Sequence, residues 1–151
     1  MMAVSEEMPP AYRWWLLEHL RSFQEAGRLV DIMEKAWVGI AREAAEAFPE
    51  EALKEIAEAA EEVGLPVEKV GAVVWLDPDC GHPSLRICLT VPRKIPWQVA
   101  NRKFAELCFR LSERGAFFRS IVKFLTWSRE LETEGEYVGR VLEVKRMGQE
   151  G

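Results

Sequence analysis

The chain has 151 residues, 48% of them hydrophobic and 30% charged, with 20 basic against 25 acidic side chains and a net charge of −5. That length suits a single domain, and the composition excludes a disordered tail, a collagen-like or coiled-coil rod and a disulfide scaffold. The acidic balance argues against a dedicated duplex-DNA binder, and no run of about eighteen apolar residues is present to cross a membrane as a helix.

The first sixty-odd residues read as helical, after a start (Met1 to Pro10) that lacks the basic and apolar pattern of a secretory leader. From Ala11 to Ala26, Tyr12, Trp15, Leu16, His19, Leu20 and Phe23 recur at steps of three and four, and Gly27 closes the helix. Arg28 to Phe48 forms a second helix with Val30, Met33, Trp37, Ile40, Ala44 and Ala47 inward, broken by Pro49. Glu50 to Val63 is a third, with acids in its first turn, Leu53, Ile56, Ala57 and Ala60 inward, and Gly64 and Pro66 as its stop.

The pattern changes at Val67. Val70 to Leu76 and Leu85 to Val91 read as strands, joined by the turn-rich Asp77-Pro78-Asp79-Cys80-Gly81-His82-Pro83-Ser84. A helix follows, with Pro96 near its first turn and Trp97, Ala100, Phe104, Leu107, Cys108 and Leu111 as its buried stripe, ending at Arg114-Gly115. Ala116 to Trp127 is read as a strand, although Phe117, Ile121, Phe124, Ser128 and Leu131 also fit a helical period. Tyr137 to Lys145 alternates and gives a last strand.

Three helices followed by strand–strand–helix–strand–strand predict one α+β domain over 1–151, with a helical part (1–64) and a ββαββ part (65–147). Closely spaced strands favour an antiparallel sheet with helices on one face. This element order is similar to that of the small acidic chaperones of bacterial secretion systems, with no motif carrying the likeness.

Charge is divided along the chain. Residues 1–75 hold seven basic and fifteen acidic side chains, whereas the ten basic residues from Arg86 to Arg129 face only Glu106 and Glu113 in that segment. The first expectation is that the acidic helices lie against the basic region and cancel its field. A helical wheel also puts Arg102, Lys103, Arg110 and Arg114 on one outer face with Glu106 and Glu113, where Glu106 and Arg110 form an i,i+4 pair. The alternative is a nucleic-acid face with Arg93, Lys94, Arg102 and Lys103 as phosphate contacts and aromatic residues between them.

The Asp77–Ser84 loop is the one cluster of reactive side chains. Asp77 and Asp79 could hold a divalent ion for phosphoryl transfer or hydrolysis, and Cys80 with His82 could serve as nucleophile and base. No Gly-Ser turn precedes the acidic pair, no third group orients the Cys–His pair, and Cys80, His82, Cys88 and Cys108 match no zinc spacing. A turn without metal is expected, and Cys88 and Cys108 read as small buried residues. No Gly-rich phosphate loop, GxSxG or HExxH is present, so neither a cofactor nor a catalytic role is expected.

Three cysteines without CxxC spacing suit reduced thiols in the cytoplasm. Few amides, with Asn101 as the sole asparagine, beside abundant Glu and Arg resemble a thermophile's composition. Six tryptophans exceed the usual frequency of about one per hundred residues. Trp14 and Trp15 are adjacent, so the first helix is apolar over more than one face. That predicts a protein that binds itself or a larger complex through Tyr12, Trp14, Trp15, Leu17 and Phe23, with His19 in a core or interface.

Overall fold

Prolines and glycines set most of the helix ends. In the computed structural model, which describes residues 9–22, 34–76, 83–130 and 136–144, helix α1 (Pro10–Trp15) starts on the Pro9-Pro10 pair and continues as one wide π turn, Leu16–Leu20. Helix α2 (Glu34–Ala47) stops before Pro49, and α3 (Glu50–Val63) starts after it. Glu50 and Glu51 lie in the first turn of α3, where the helix dipole favours negative charge. Gly64, at φ 82°, ends α3 in the left-handed conformation, with its own N–H bonded to Glu61 and that of Leu65 to Ala60.

Strands β1 (Lys69–Leu76) and β2 (Pro83–Thr90) pair antiparallel over their full length. Helix α4 (Trp97–Ser112), helix α5 (Ala116–Ile121), a 3-10 turn (Val122–Phe124), β3 (Leu125–Ser128) and β4 (Glu136–Glu143) complete the order. The sheet order is β3-β2-β1-β4. The α+β class is as expected, but the sheet is mixed, because β3 runs parallel to β2 while β4 is antiparallel to β1.

The strand expected over 116–127 is corrected: only its end is extended. Phe117, Phe118, Ser120 and Ile121 are buried on a short helix, and the Ser120 hydroxyl bonds back to the Ala116 carbonyl. The helical spacing of these apolar residues won over their β-branched and aromatic character. With α4 and α5 both inserted after β2, the chain returns to the sheet by a long crossover, which is what a parallel neighbour requires.

The helices cover one face of the sheet. Val70, Ala72 and Val74 of β1 and Leu85, Ile87 and Leu89 of β2 join the inner sides of the helices in one core. The other face carries a small cluster of Val73 and Cys88 with Val138 and Val141, which no described helix residue joins. The predicted stripe of α4 holds at Ala100, Leu107 and Leu111, with Phe104 and Cys108 partly buried, but Trp97 is corrected from buried to exposed.

Gly139 lets β4 approach α2. A Cβ there would lie 2.7 Å from the Ala45 carbonyl carbon and 2.7 Å from its Cβ, and backbone cannot swing aside. Gly139→Ala should therefore cost about 1–3 kcal/mol in urea unfolding. Gly39→Ala, on the exposed side of α2 with nothing within 4 Å, should instead gain up to about 1 kcal/mol. Equal effects at the two sites would contradict the close packing of β4 on α2.

Candidate functional site

Helix α1 divides the predicted interface residues between two environments. Trp15 (0% exposed) and Tyr12 are buried in the chain's own core. The Tyr12 ring stacks on Phe117 at 4.6 Å, and Trp15 meets Phe48 edge-on at 4.9 Å. The indole N–H of Trp15 donates to the Ala44 carbonyl at 3.0 Å, fastening α1 to the last turn of α2. The Tyr12 hydroxyl donates to the Glu55 carboxylate, and burial together with that bond pushes its pKa well above the ordinary phenol value. Tyr12 and Trp15 therefore fix the helix and are not open to a partner.

Trp14 and Leu17 point the other way and are 52% and 45% exposed. Phe23 lies outside the described residues. Beside Trp14, a cleft of about 470 Å³ opens between α1 and α2, walled by Trp14, His19 and Ile40 and rimmed by Glu18, Glu43 and Glu46. His19 is buried at its base, 5.0 Å from the Trp14 ring and 5.9 Å from that of Trp15. Burial lowers its pKa below the ordinary imidazole value, opposed by the Trp15 carbonyl and the charges of Glu43 and Glu18.

Two arginines of the basic half are answered by an acidic helix. Arg110 pairs with Glu62 at 3.2 Å, and Arg114 with Glu62 at 2.9 Å and Glu55 at 3.6 Å, so the end of α4 and the turn after it present arginines to acidic α3. The expected Glu106–Arg110 pair is replaced: Glu106 meets Lys103 at 3.6 Å, and Arg110 reaches across to α3. Exposed pairs of this kind contribute at most about 1 kcal/mol each. What they do is neutralise the field between the two halves.

The four residues expected to contact phosphate sit in different settings. Lys103 is half-buried and turned toward α3, with its Nζ 3.7 Å from the Cβ position of Gly64. Arg93 is exposed and paired with Glu130 at 2.8 Å. Lys94 and Arg102 are exposed, with no carboxylate at ion-pair distance among the described residues. Next to Lys94 lies a group that the sequence did not set apart. Trp97, 63% exposed, rests 5.0 Å from the Trp127 ring, and Trp127 donates its indole N–H to Asn101 Oδ1 at 2.9 Å. The Arg129 guanidinium lies over Trp127 at 4.9 Å.

Asp77, Asp79, Cys80 and His82 lie outside the described residues. Cys88 is buried on β2 with its Sγ 3.1 Å from Ser128 Oγ, and burial raises the pKa of the Cys108 thiol on α4. Among the described residues no three His, Cys, Asp or Glu side chains are grouped to hold an ion, and no helix is long and apolar enough to cross a membrane. Comparison with family models, with curated proteins and with solved structures finds no match to this chain. The described geometry offers two surfaces, the outer side of α1 with its acidic cleft and the tryptophan pair beside Lys94.

His19 gives the first surface a pH signature. An imidazole whose folded pKa is depressed leaves stability intact above its unfolded value and removes it as pH falls through the lower folded value. Unfolding midpoints should therefore drop as pH falls below about 6.5, the ordinary imidazole value. His19→Gln, neutral throughout, should flatten that slope even if it lowers stability overall. An unchanged slope would show that His19 is not the titrating group.

Proposed function

We propose that this chain acts by binding rather than by catalysis, as a homo-oligomer or as an accessory subunit of a larger complex, with the outer side of α1 as its contact. The observation that supports this reading is the pair Trp14 and Leu17, exposed on a helix whose opposite side is fixed in the core. Fully covering a large apolar side chain recovers roughly 1.5–3 kcal/mol, so half-exposed Trp14 and Leu17 together offer about 1.5–3 kcal/mol to a partner.

Two side chains are not a whole interface, which takes about 800 Å² per partner. The contact would extend over the adjoining cleft, where Glu18, Glu43 and Glu46 rim an aromatic wall. A partner bearing Lys or Arg among apolar side chains fits that chemistry, since charge steers encounter and apolar contact holds it. Three cysteines without CxxC spacing are the feature that supports a cytoplasmic setting.

Light scattering tests the reading. Trp14→Glu with Leu17→Glu should lower the mass of the wild-type species, or release a co-purifying partner, with helical content unchanged. The variant should fold, because neither side chain belongs to the core. A wild type that is monomeric at all concentrations and recovers no partner would refute it.

A further inference from the structure

We infer that the tryptophan pair at the start of α4 is a binding site for single-stranded nucleic acid. Three segments build it: the turn between β2 and α4, the first turn of α4, and the end of β3. Arg129 ties them together, donating from Nη1 to the Pro92 carbonyl at 2.6 Å and from Nη2 to the Ile95 carbonyl at 2.9 Å while its guanidinium covers Trp127. Trp127 is held in turn by Asn101. Trp97 leans on this fixed base at 53° to the Trp127 ring and leaves most of its indole open to water.

An indole held on a fixed base and left exposed is a stacking platform, and the charges beside it select what stacks. Lys94, in the turn that Arg129 fixes three residues before Trp97, and Arg102, five residues after Trp97 on α4, are both exposed and form no ion pair among the described residues. Glu130, next to Arg129, is paired with Arg93, and Glu106, four residues after Arg102, is paired with Lys103. A flat π-face with negative charge on either side of it answers all three groups. Nucleobases linked by phosphates have that form, and only a single strand has its base faces open to an indole. A protein segment would leave the two cations unanswered unless it were acidic.

The site is separate from the outer side of α1, so it stands or falls independently of the function proposed above. The test is fluorescence anisotropy with labelled oligo(dT) and oligo(U) of about fifteen nucleotides, longer than one stacking site needs. Binding is expected at low salt, weakening log-linearly as salt rises. Trp97→Ala should weaken it about tenfold or more, the scale of one lost base stack. Lys94→Glu with Arg102→Glu should abolish it, whereas Phe109→Ala, at the far end of α4 and equally exposed, should leave it unchanged. Trp97 and Phe109 are both on the surface, and thermal melts of each variant check the fold.

Absence of binding to either strand at about 20 mM salt would overturn the proposal, since electrostatic contacts are strongest there. So would a Trp97→Ala variant that binds like the wild type, a duplex bound as tightly as the strand, or a mononucleotide that competes at equal concentration. If Trp97→Ala instead abolishes self-association in sedimentation, the pair is a protein contact and the nucleic-acid assignment is wrong.

Discussion

A layer of four aromatic rings joins segments far apart in the chain. Tyr12 and Trp15 of α1, Phe48 at the end of α2 and Phe117 of α5 meet within stacking or edge-on distance and are almost wholly buried. Aromatic rings carry the largest apolar area per side chain and have preferred mutual geometries, so such a layer fixes orientation as well as stability. Helix α1 is fastened by these rings, by the Trp15–Ala44 bond and by the Tyr12–Glu55 bond. Because Tyr12 and Trp15 are committed inward, Trp14 and Leu17 are turned outward. The surface proposed for assembly is thus a geometric consequence of the core.

Charge is arranged around α3, whose Glu55 meets both Tyr12 and Arg114. Helix α3 presents glutamates to Arg110 and Arg114, and Arg140 of β4 reaches Glu50 at 3.7 Å. Each pair is exposed and contributes little stability. Their effect is on the local field: of the ten basic residues from Arg86 to Arg129, Arg110 and Arg114 are the two paired with an acidic helix among the described residues. Lys94 and Arg102 are left beside the tryptophan pair, while the acidic cleft of α1 keeps Glu18, Glu43 and Glu46. A nearly balanced fold therefore exposes two surfaces of opposite character, an acidic apolar one and a basic aromatic one.

The end of α1 and the start of α4 share one feature. Both place a tryptophan in water beside a second aromatic or imidazole ring that is held from behind, Trp14 by His19 and Trp97 by Trp127. An unsupported surface indole would be free to fold back on nearby apolar surface. Here the ring behind it is itself fixed, His19 by burial and Trp127 by Asn101 and Arg129, so exposure is maintained.

By itself the sequence determined the class, the helix ends and most of the inner faces. Period and punctuation are local properties: Pro49, Gly64 and Pro96 end or open helices wherever the chain goes, and the alternation in β1 and β2 names their inner faces without knowledge of the partner strand. Only the tertiary structure decided the rest. Residues 116–124 had β-rich composition with helical spacing, and contact with Tyr12 and Trp15 settled them as helix and so made the sheet mixed. Trp97 fitted the α4 stripe by periodicity, but a first-turn residue can project past the sheet edge, and the end of β3 met it there with Trp127. The basic run looked continuous as text. Which of its charges stay open depended on where α3 lay, a long-range fact that no local pattern encodes.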